Sequence, residues 1–209
     1  MVFNLRRAKK QQQDVVVDSV TGAFNRRQLD ADVAAGIDMS DQPTATLMID
    51  VDAFAGFTGK KGSVSGDQVL ERVSWVIMAT VRTTDVVYRH GASSFCVLLP
   101  ATRDEDAVAV ADRIRANVQQ MPLLAESHVT VSVGVATGSG QQLAQTIERA
   151  EGALTEGSTS GPNQVFAVPP TVPTNTPSPP PPPPVPRAAP AVHPPITPEP
   201  NDPLAPPSI

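Results

Sequence analysis

Apolar and polar positions follow two different periods along residues 1–168 of the chain. Apolar residues at helical spacing predict helices over residues 25–33, 66–82, 104–118 and 143–154, with a short leading helix from Val2 towards Asp14. Apolar runs predict strands at residues 44–52, 86–88, 95–99, 128–136 and 164–168. This order of elements predicts an α+β fold, a ferredoxin-like (split βαβ) sandwich of helices on a mainly antiparallel sheet.

Proline usage divides the chain sharply. Of its 23 prolines, 19 fall in residues 169–209, a segment that cannot bury a core and is expected to be a disordered, extended tail. We therefore expect a short basic N-terminal segment (1–13), one folded domain (14–168) and a proline-rich tail (169–209). The tail could dock a partner through PxxP-type peptides, but composition alone generates such matches, so a solvated spacer is the favoured interpretation.

Charge and cysteine usage exclude several classes of function. Residues 1–168 carry 15 basic and 19 acidic side chains, which argues against a nucleic-acid-binding surface. The basic cluster Arg6, Arg7, Lys9 and Lys10 is interpreted as a solvated helix start in preference to a contact with an anionic membrane. Cys96 lies in an apolar run and is expected to be a buried, inert thiol. No stretch has the length of a signal peptide or a membrane span, which favours the cytoplasm, with at most a peripheral membrane contact.

Two acids stand at the end of the apolar run that predicts the first strand. Alternation places Asp50 and Asp52 on one face, close enough to share a hard cation such as Mg²⁺. Acids at a strand end also cap the following turn, and the sequence leaves both interpretations open. The glycine-rich stretch 56–63 lacks the spacing of a phosphate-binding loop and is interpreted as a flexible connector.

A second pair, Arg82 and Asp85, precedes the predicted hairpin. An exposed pair of this kind is usually a surface salt bridge of little energetic value. The same two groups could also clamp a guanine, because an arginine donates to O6 and N7 while a carboxylate accepts from N1 and N2.

Five motifs in order resemble one family. Residues 18–27 (DSVTGAFNRR), 47–54 (LMIDVDAF), 65–70 (SGDQVL), 82–91 (RTTDVVYRHG) and 129–135 (VTVSVGV) are similar to successive motifs of the GGDEF domain of diguanylate cyclases. The resemblance covers roughly residues 14–168. It implies that two such domains meet face to face, each holding one GTP, and join them into cyclic di-GMP.

The same resemblance implies that this chain has lost its catalytic groups. Family members bind Mg²⁺ with the first acid of the strand motif, here Asp50, and with an acid of the hairpin signature. The hairpin reads GASSF over residues 91–95, so Ser93 and Ser94 stand where the family has acids. A hydroxyl is a poor replacement for a carboxylate on Mg²⁺.

Most groups that hold the nucleotide in the family are also replaced. The guanine-contacting acid is kept as Asp67, whereas the family's phosphate-binding and neighbouring polar residues correspond to Ala55, Thr58, Gly59, Ser158 and Pro162. Triphosphate binding without these cations is unfavourable. We therefore expect no cofactor, and Mg²⁺ only if residual GTP binding persists.

What the resemblance leaves intact is the family's product-binding site. Arg82 and Asp85 match its R-x-x-D motif, and Arg113 lies where the family often supplies a second arginine. The expected function is that of an inactive GGDEF protein in cyclic di-GMP signalling, which binds cyclic di-GMP or regulates through protein contacts. Its candidate partners are a second copy or an active GGDEF protein. The alternative is an active diguanylate cyclase with an altered site.

Overall fold

The computed structural model describes residues 16–36, 42–58, 65–121 and 128–169. The predicted leading helix, the basic cluster, most of the glycine-rich stretch and all but the first residue of the predicted tail lie outside these ranges. No helix in the described part of the chain combines the length and the apolar character needed to span a membrane.

The described residues form five α-helices and five strands. The helices are α1 (Arg26–Ala35), α2 (Ala55–Thr58), α3 (Gly66–Thr80), α4 (Asp104–Gln119) and α5 (Leu143–Gly157). The strands are β1 (Pro43–Val51), β2 (Val86–Arg89), β3 (Ser94–Pro100), β4 (Val131–Ser139) and β5 (Val165–Ala167). Short 3₁₀ turns at Gly140–Gln142 and Ser158–Ser160 flank α5.

The strands form one sheet in the order β2-β3-β1-β4-β5. Strand β1 is central and antiparallel to both β3 and β4, β2 is antiparallel to β3, and β5 joins β4 in parallel. The predicted α+β sandwich with a mainly antiparallel sheet is therefore confirmed.

Helices cover both faces of this sheet, which explains why β1 reads as a continuous apolar run. Leu47 and Ile49 point to the layer formed by α3 and α4, while Met48 points to the layer formed by α1 and α5. Cys96 is fully buried in the second layer, and burial raises the pKa of its thiol to about 12. The prediction of a buried thiol is confirmed.

The first and last residues of the helices are set by local capping, and they differ from those that hydrophobic periodicity predicts. The Asn25 side chain accepts from the Gln28 amide, so α1 begins at Arg26. Ser65 and Gln68 form a reciprocal capping box that starts α3. That helix ends at Thr80, two residues earlier than predicted, because Val81 is extended.

Strand β4 runs about three residues further along the chain than its apolar pattern predicts. Its pairing with β1 continues to Pro43 opposite Ser139, so tertiary hydrogen bonding recruits a polar end that periodicity alone excludes. Part of the stretch predicted as a flexible connector, residues 56–58, instead completes the short helix α2.

A close approach of α5 to the sheet generates a stability prediction. A Cβ at Gly134 would meet Leu154 N at 2.8 Å and the Ala150 carbonyl oxygen closer still, whereas a Cβ at Gly152 on α5 would meet nothing within 4 Å. We expect Gly134→Ala to lower the free energy of unfolding by about 3 kcal/mol, as overpacking does. Gly152→Ala is the control and should raise it by up to about 1 kcal/mol through helix propensity. Urea titration of both variants checks this, and equal midpoints would contradict the packing.

Candidate functional site

The hairpin between β2 and β3 brings the degenerate signature onto the end of β1. Asp50 pairs across the sheet with Ser94, and the amide of Val51 donates to the Ser93 carbonyl at 3.1 Å. This register places the Ser93 hydroxyl against the Asp50 carboxylate, where it donates to Oδ1 at 2.6 Å. A direct hydrogen bond therefore joins the two positions that the resemblance assigned to Mg²⁺.

Asp52 has a different environment from Asp50, although both stand at the end of the same strand. Its carboxylate accepts from the Thr130 hydroxyl at 2.7 Å, the Ser132 hydroxyl at 2.8 Å and the backbone amide of Asn163 at 2.8 Å. Asp52 thus joins the start of β4 to the loop before β5. These three donors lie outside the turn that follows β1, so the observed contacts differ from a cap of that turn, and they already occupy the carboxylate.

The donor set at Asp50 does not fit Mg²⁺. Magnesium in proteins prefers carboxylate oxygens, and here the neighbours of Asp50 on the hairpin are hydroxyls, one of which uses its proton to bind Asp50. Among the described residues, no group of three or more His, Cys, Asp or Glu side chains is arranged to hold a metal ion.

A cavity of about 440 Å³ lies between the hairpin, β1 and α5. Its described lining residues are Met48, Asp50, His90, Ser94, Glu151, Leu154 and Thr155. The lining contains two carboxylates and no lysine or arginine from the described residues. Its charge is therefore unfavourable for a triphosphate.

Sequence reasoning missed a contact between distant residues beside this cavity. His90 Nε2 lies 3.2 Å from Glu151 Oε1, and Arg26 Nη1 also contacts Nε2. Burial, followed by the charge of Arg26, lowers the pKa of His90, while Glu151 raises it. The residues are far apart in sequence, so no local motif could reveal the pair, although Glu151 stands where the family pattern has an aspartate.

Arg89 contacts the hairpin and interacts electrostatically with three acids. Its guanidinium lies 5.1 Å from the centre of the Phe95 ring and donates to the Ala92 carbonyl. Burial lowers its pKa, and Asp18, Asp67 and Asp50 act in the opposite direction. Asp67, the retained guanine-contacting position, is exposed in the first turn of α3.

The other degenerate positions now have local structural roles or lie outside the described part. Ala55 and Thr58 begin and end α2, while Gly59 is not among the described residues. The Ser158 hydroxyl donates to the Thr155 carbonyl at 2.7 Å, so it closes the last turn of α5. Pro162 follows the 3₁₀ turn.

Arg82, Asp85 and Arg113 come together at the opposite end of α3. The Asp85 carboxylate accepts from the backbone amide of Arg82 at 2.7 Å, so the acid caps a turn and forms no ion pair with the guanidinium within 4.0 Å. Arg113 reaches over from α4 and donates to the carbonyl of Thr80 at 3.2 Å. Both arginines are exposed.

The charge state of Asp85 reflects competing effects. Burial raises its pKa, and the hydrogen bond from Arg82 together with the charges of Arg82 and Arg113 partly offsets this. Two exposed guanidinium groups beside one acceptor can bind a planar ligand that carries phosphates and a guanine edge.

Residues 15–164 match the family model described as "Diguanylate cyclase, GGDEF domain". This match covers well over half of the chain, and the chain belongs to the GGDEF family.

The relatives support the same assignment. The chain is 32% identical over 161 residues to the response regulator PleD of Caulobacter vibrioides, covering 72% of this chain and 35% of PleD. It is 36% identical over 124 residues to diguanylate cyclase A of Treponema denticola, covering 57% of this chain and 33% of that protein. The chain thus spans about a third of the length of these curated relatives.

Two solved structures share the fold. The diguanylate cyclase SiaD of Pseudomonas aeruginosa, in complex with its activator SiaC, matches with a TM-score of 0.68 and 30% identity, covering 78% of this chain and 66% of SiaD. The GGDEF domain of DgcB from Caulobacter crescentus, in complex with c-di-GMP, matches with a TM-score of 0.66 and 26% identity, covering 74% and 93%.

The different environments of the two strand-end acids predict different mutational effects. Asp52→Asn should lower the free energy of unfolding by about 2 kcal/mol, because an amide replaces a carboxylate that accepts three hydrogen bonds. Asp50→Asn is the matched control and should cost less than about 1 kcal/mol, since Ser93 can still donate to the amide oxygen. Thermal and urea unfolding measure both, and a larger loss for Asp50→Asn would contradict these assignments.

Proposed function

We propose that this GGDEF domain does not synthesise cyclic di-GMP and instead acts as a regulator that binds it. The absence of synthesis is argued from the hydrogen bond that the Ser93 hydroxyl donates to Asp50, where a second carboxylate would be needed. A carboxylate pair would hold a metal, whereas a hydroxyl that donates its proton to Asp50 lowers the affinity of that carboxylate for a cation.

The described lining of the cavity contains no lysine or arginine, which supports the same conclusion. Phosphoryl transfer relies on positive charge to stabilise the transition state, and most of the catalysis comes from this electrostatic term and from positioning. Asp50 and Glu151 give the cavity lining the opposite sign. These two carboxylates would repel a bound triphosphate, whereas the reaction needs positive charge beside it.

The proposed binding of cyclic di-GMP rests on the cluster of Arg82, Asp85 and Arg113. The Asp85 carboxylate fixes the Arg82 backbone at 2.7 Å while the guanidinium remains exposed. Arg113 is held nearby through the Thr80 carbonyl. Because a ligand with two guanines and two phosphates offers acceptors to both arginines, cyclic di-GMP fits this cluster, and the DgcB domain was solved with c-di-GMP.

Regulation through a protein partner is the second candidate. The diguanylate cyclase SiaD was solved in complex with its activator SiaC, so a protein that contains this fold can have a protein partner. Such a contact requires neither the lost acids nor the lost cations. An active cyclase with an altered site is the competing enzymatic hypothesis, and the following assay separates it from both.

We expect the purified chain, supplied with GTP and Mg²⁺, to form no cyclic di-GMP above a buffer blank. A variant with Ser93→Glu and Ser94→Glu should remain inactive, since the added acids supply no cations for the triphosphate. Liquid chromatography of the products, beside an active diguanylate cyclase as control, measures turnover. Product formed by preparations free of a contaminating cyclase would support the enzymatic hypothesis instead.

Binding of cyclic di-GMP should depend on Arg82 and not on Asp50. Arg82→Ala should weaken binding by about 1–3 kcal/mol, the value of a bidentate contact to a guanine edge. Asp50→Ala should leave the affinity unchanged, and Arg72→Ala, which removes an exposed arginine of α3, is the matched control. The affinities are measured by calorimetry at pH 8, because burial raises the pKa of the Asp85 carboxyl and a basic pH favours its ionised form. No heat with the wild type, or equal affinity for Arg82→Ala, would leave only the protein-partner hypothesis.

A further inference from the structure

Thr80, the last residue of α3, is held by two side chains of α4. The Arg113 guanidinium donates to the Thr80 carbonyl at 3.2 Å, and the side-chain amide of Asn117 donates to the Thr80 hydroxyl at 3.0 Å. Arg113 and Asn117 are spaced i, i+4, so they lie on one face of α4. Two neighbouring side chains of one helix therefore fix the end of the other.

The orientation of the Thr80 hydroxyl is set within α3. It donates to the Val76 carbonyl at 2.7 Å. A hydroxyl has a single proton, so towards Asn117 it can act only as an acceptor, which is the role that the Asn117 amide requires. Both partners of this contact are therefore used in a defined direction.

The same threonine determines where the backbone of Arg82 lies. The next residue, Val81, is extended, and its amide donates to the Ile77 carbonyl at 3.1 Å. Arg82 then enters a closed turn, because its amide donates to the Asp85 carboxylate at 2.7 Å and its carbonyl accepts from the Asp85 amide at 3.1 Å. The position of this turn relative to α4 follows from how Thr80 is held.

Arg113 alone cannot both hold the end of α3 and bind a ligand. The nitrogen Nη2 of Arg113 is bound to the Thr80 carbonyl, and a phosphate or guanine edge that takes this donor removes the contact. The contact of Asn117 involves neither guanidinium group of the cluster. It can therefore persist while Arg113 turns to the ligand, and it preserves the spacing between Arg82 and Arg113.

We propose that Asn117, acting through the Thr80 hydroxyl, is a positioning residue for the cyclic di-GMP site. This role rests on the proposed binding of cyclic di-GMP and adds two residues outside the R-x-x-D motif. Asn117 need not touch the ligand. It keeps the ends of α3 and α4 in register, so that binding does not have to order the two arginines relative to one another.

Calorimetry of the full chain with cyclic di-GMP tests this role. Asn117→Ala should weaken binding by about three- to tenfold, the value of one hydrogen bond that orders the site. Its urea midpoint should stay the same or rise, because Asn117 is exposed and alanine is the better helix former. A loss of affinity without a loss of stability is not expected of a merely structural contact.

Two variants of Thr80 provide the rescue. Thr80→Val removes the acceptor and should weaken binding as Asn117→Ala does, whereas Thr80→Ser keeps the hydroxyl and should retain the affinity of the wild type. The double variant with Thr80→Val and Asn117→Ala should bind no more weakly than either single one, since both changes remove the same contact.

Thr159→Val is the matched control, because Thr159 is exposed and its hydroxyl also donates to a backbone carbonyl, that of Glu156 at 3.1 Å, away from the cluster. Unchanged affinity in Asn117→Ala, equal losses in Thr80→Val and Thr159→Val, or no rescue by Thr80→Ser would each overturn the positioning role while leaving binding through Arg82 intact. No heat with the wild type would overturn the binding itself and this role with it, so the two failures are distinguishable.

Discussion

The pairing of β1 with a strand on each side, under helices on both faces, sets the position of every candidate group in this domain. Because β1 is antiparallel to both β3 and β4, its last residues meet the hairpin on one side and the start of β4 on the other. β1 thus places Asp50 beside the hairpin and Asp52 beside the start of β4. A slip of one residue would turn both acids towards the apolar layer of α3 and α4, away from their donors.

At the candidate catalytic site, the fold places mutually bonded protein groups where the resemblance implies ligands of metal and phosphate. The groups implied to bind metal and phosphate have been replaced by groups that satisfy one another, as in the contacts of Ser93 with Asp50 and of Ser158 with the end of α5. Buried polar groups that pair locally cost little, whereas an unpaired carboxylate cluster without its metal would repel itself. The replacements therefore relieve the domain of an electrostatic strain that a metal site without metal would carry.

The sequence predicted the sheet and the main helices because β1, β3 and α3 have strong apolar patterns that tertiary contacts reinforce. It could not reveal the contacts of Asp52, since one of its donors is the backbone amide of Asn163, which lies 111 residues away along the chain. The contact between His90 and Glu151 was missed for the same reason. Arg82, Asp85 and Arg113 lie at one end of α3, but the bond from the Arg82 amide to Asp85 is a backbone contact that a motif of side chains does not encode.

The aromatic composition has a practical consequence for observing this domain. The chain contains one tryptophan and one tyrosine, and they occupy opposite environments: Trp75 is 65% exposed, whereas Tyr88 is buried and donates to Asp32 at 2.8 Å. Fluorescence excited selectively at the indole ring of Trp75 therefore comes from a single helix face. Its wavelength reports the local polarity around α3 without any label, and it separates events on that surface from events in the core.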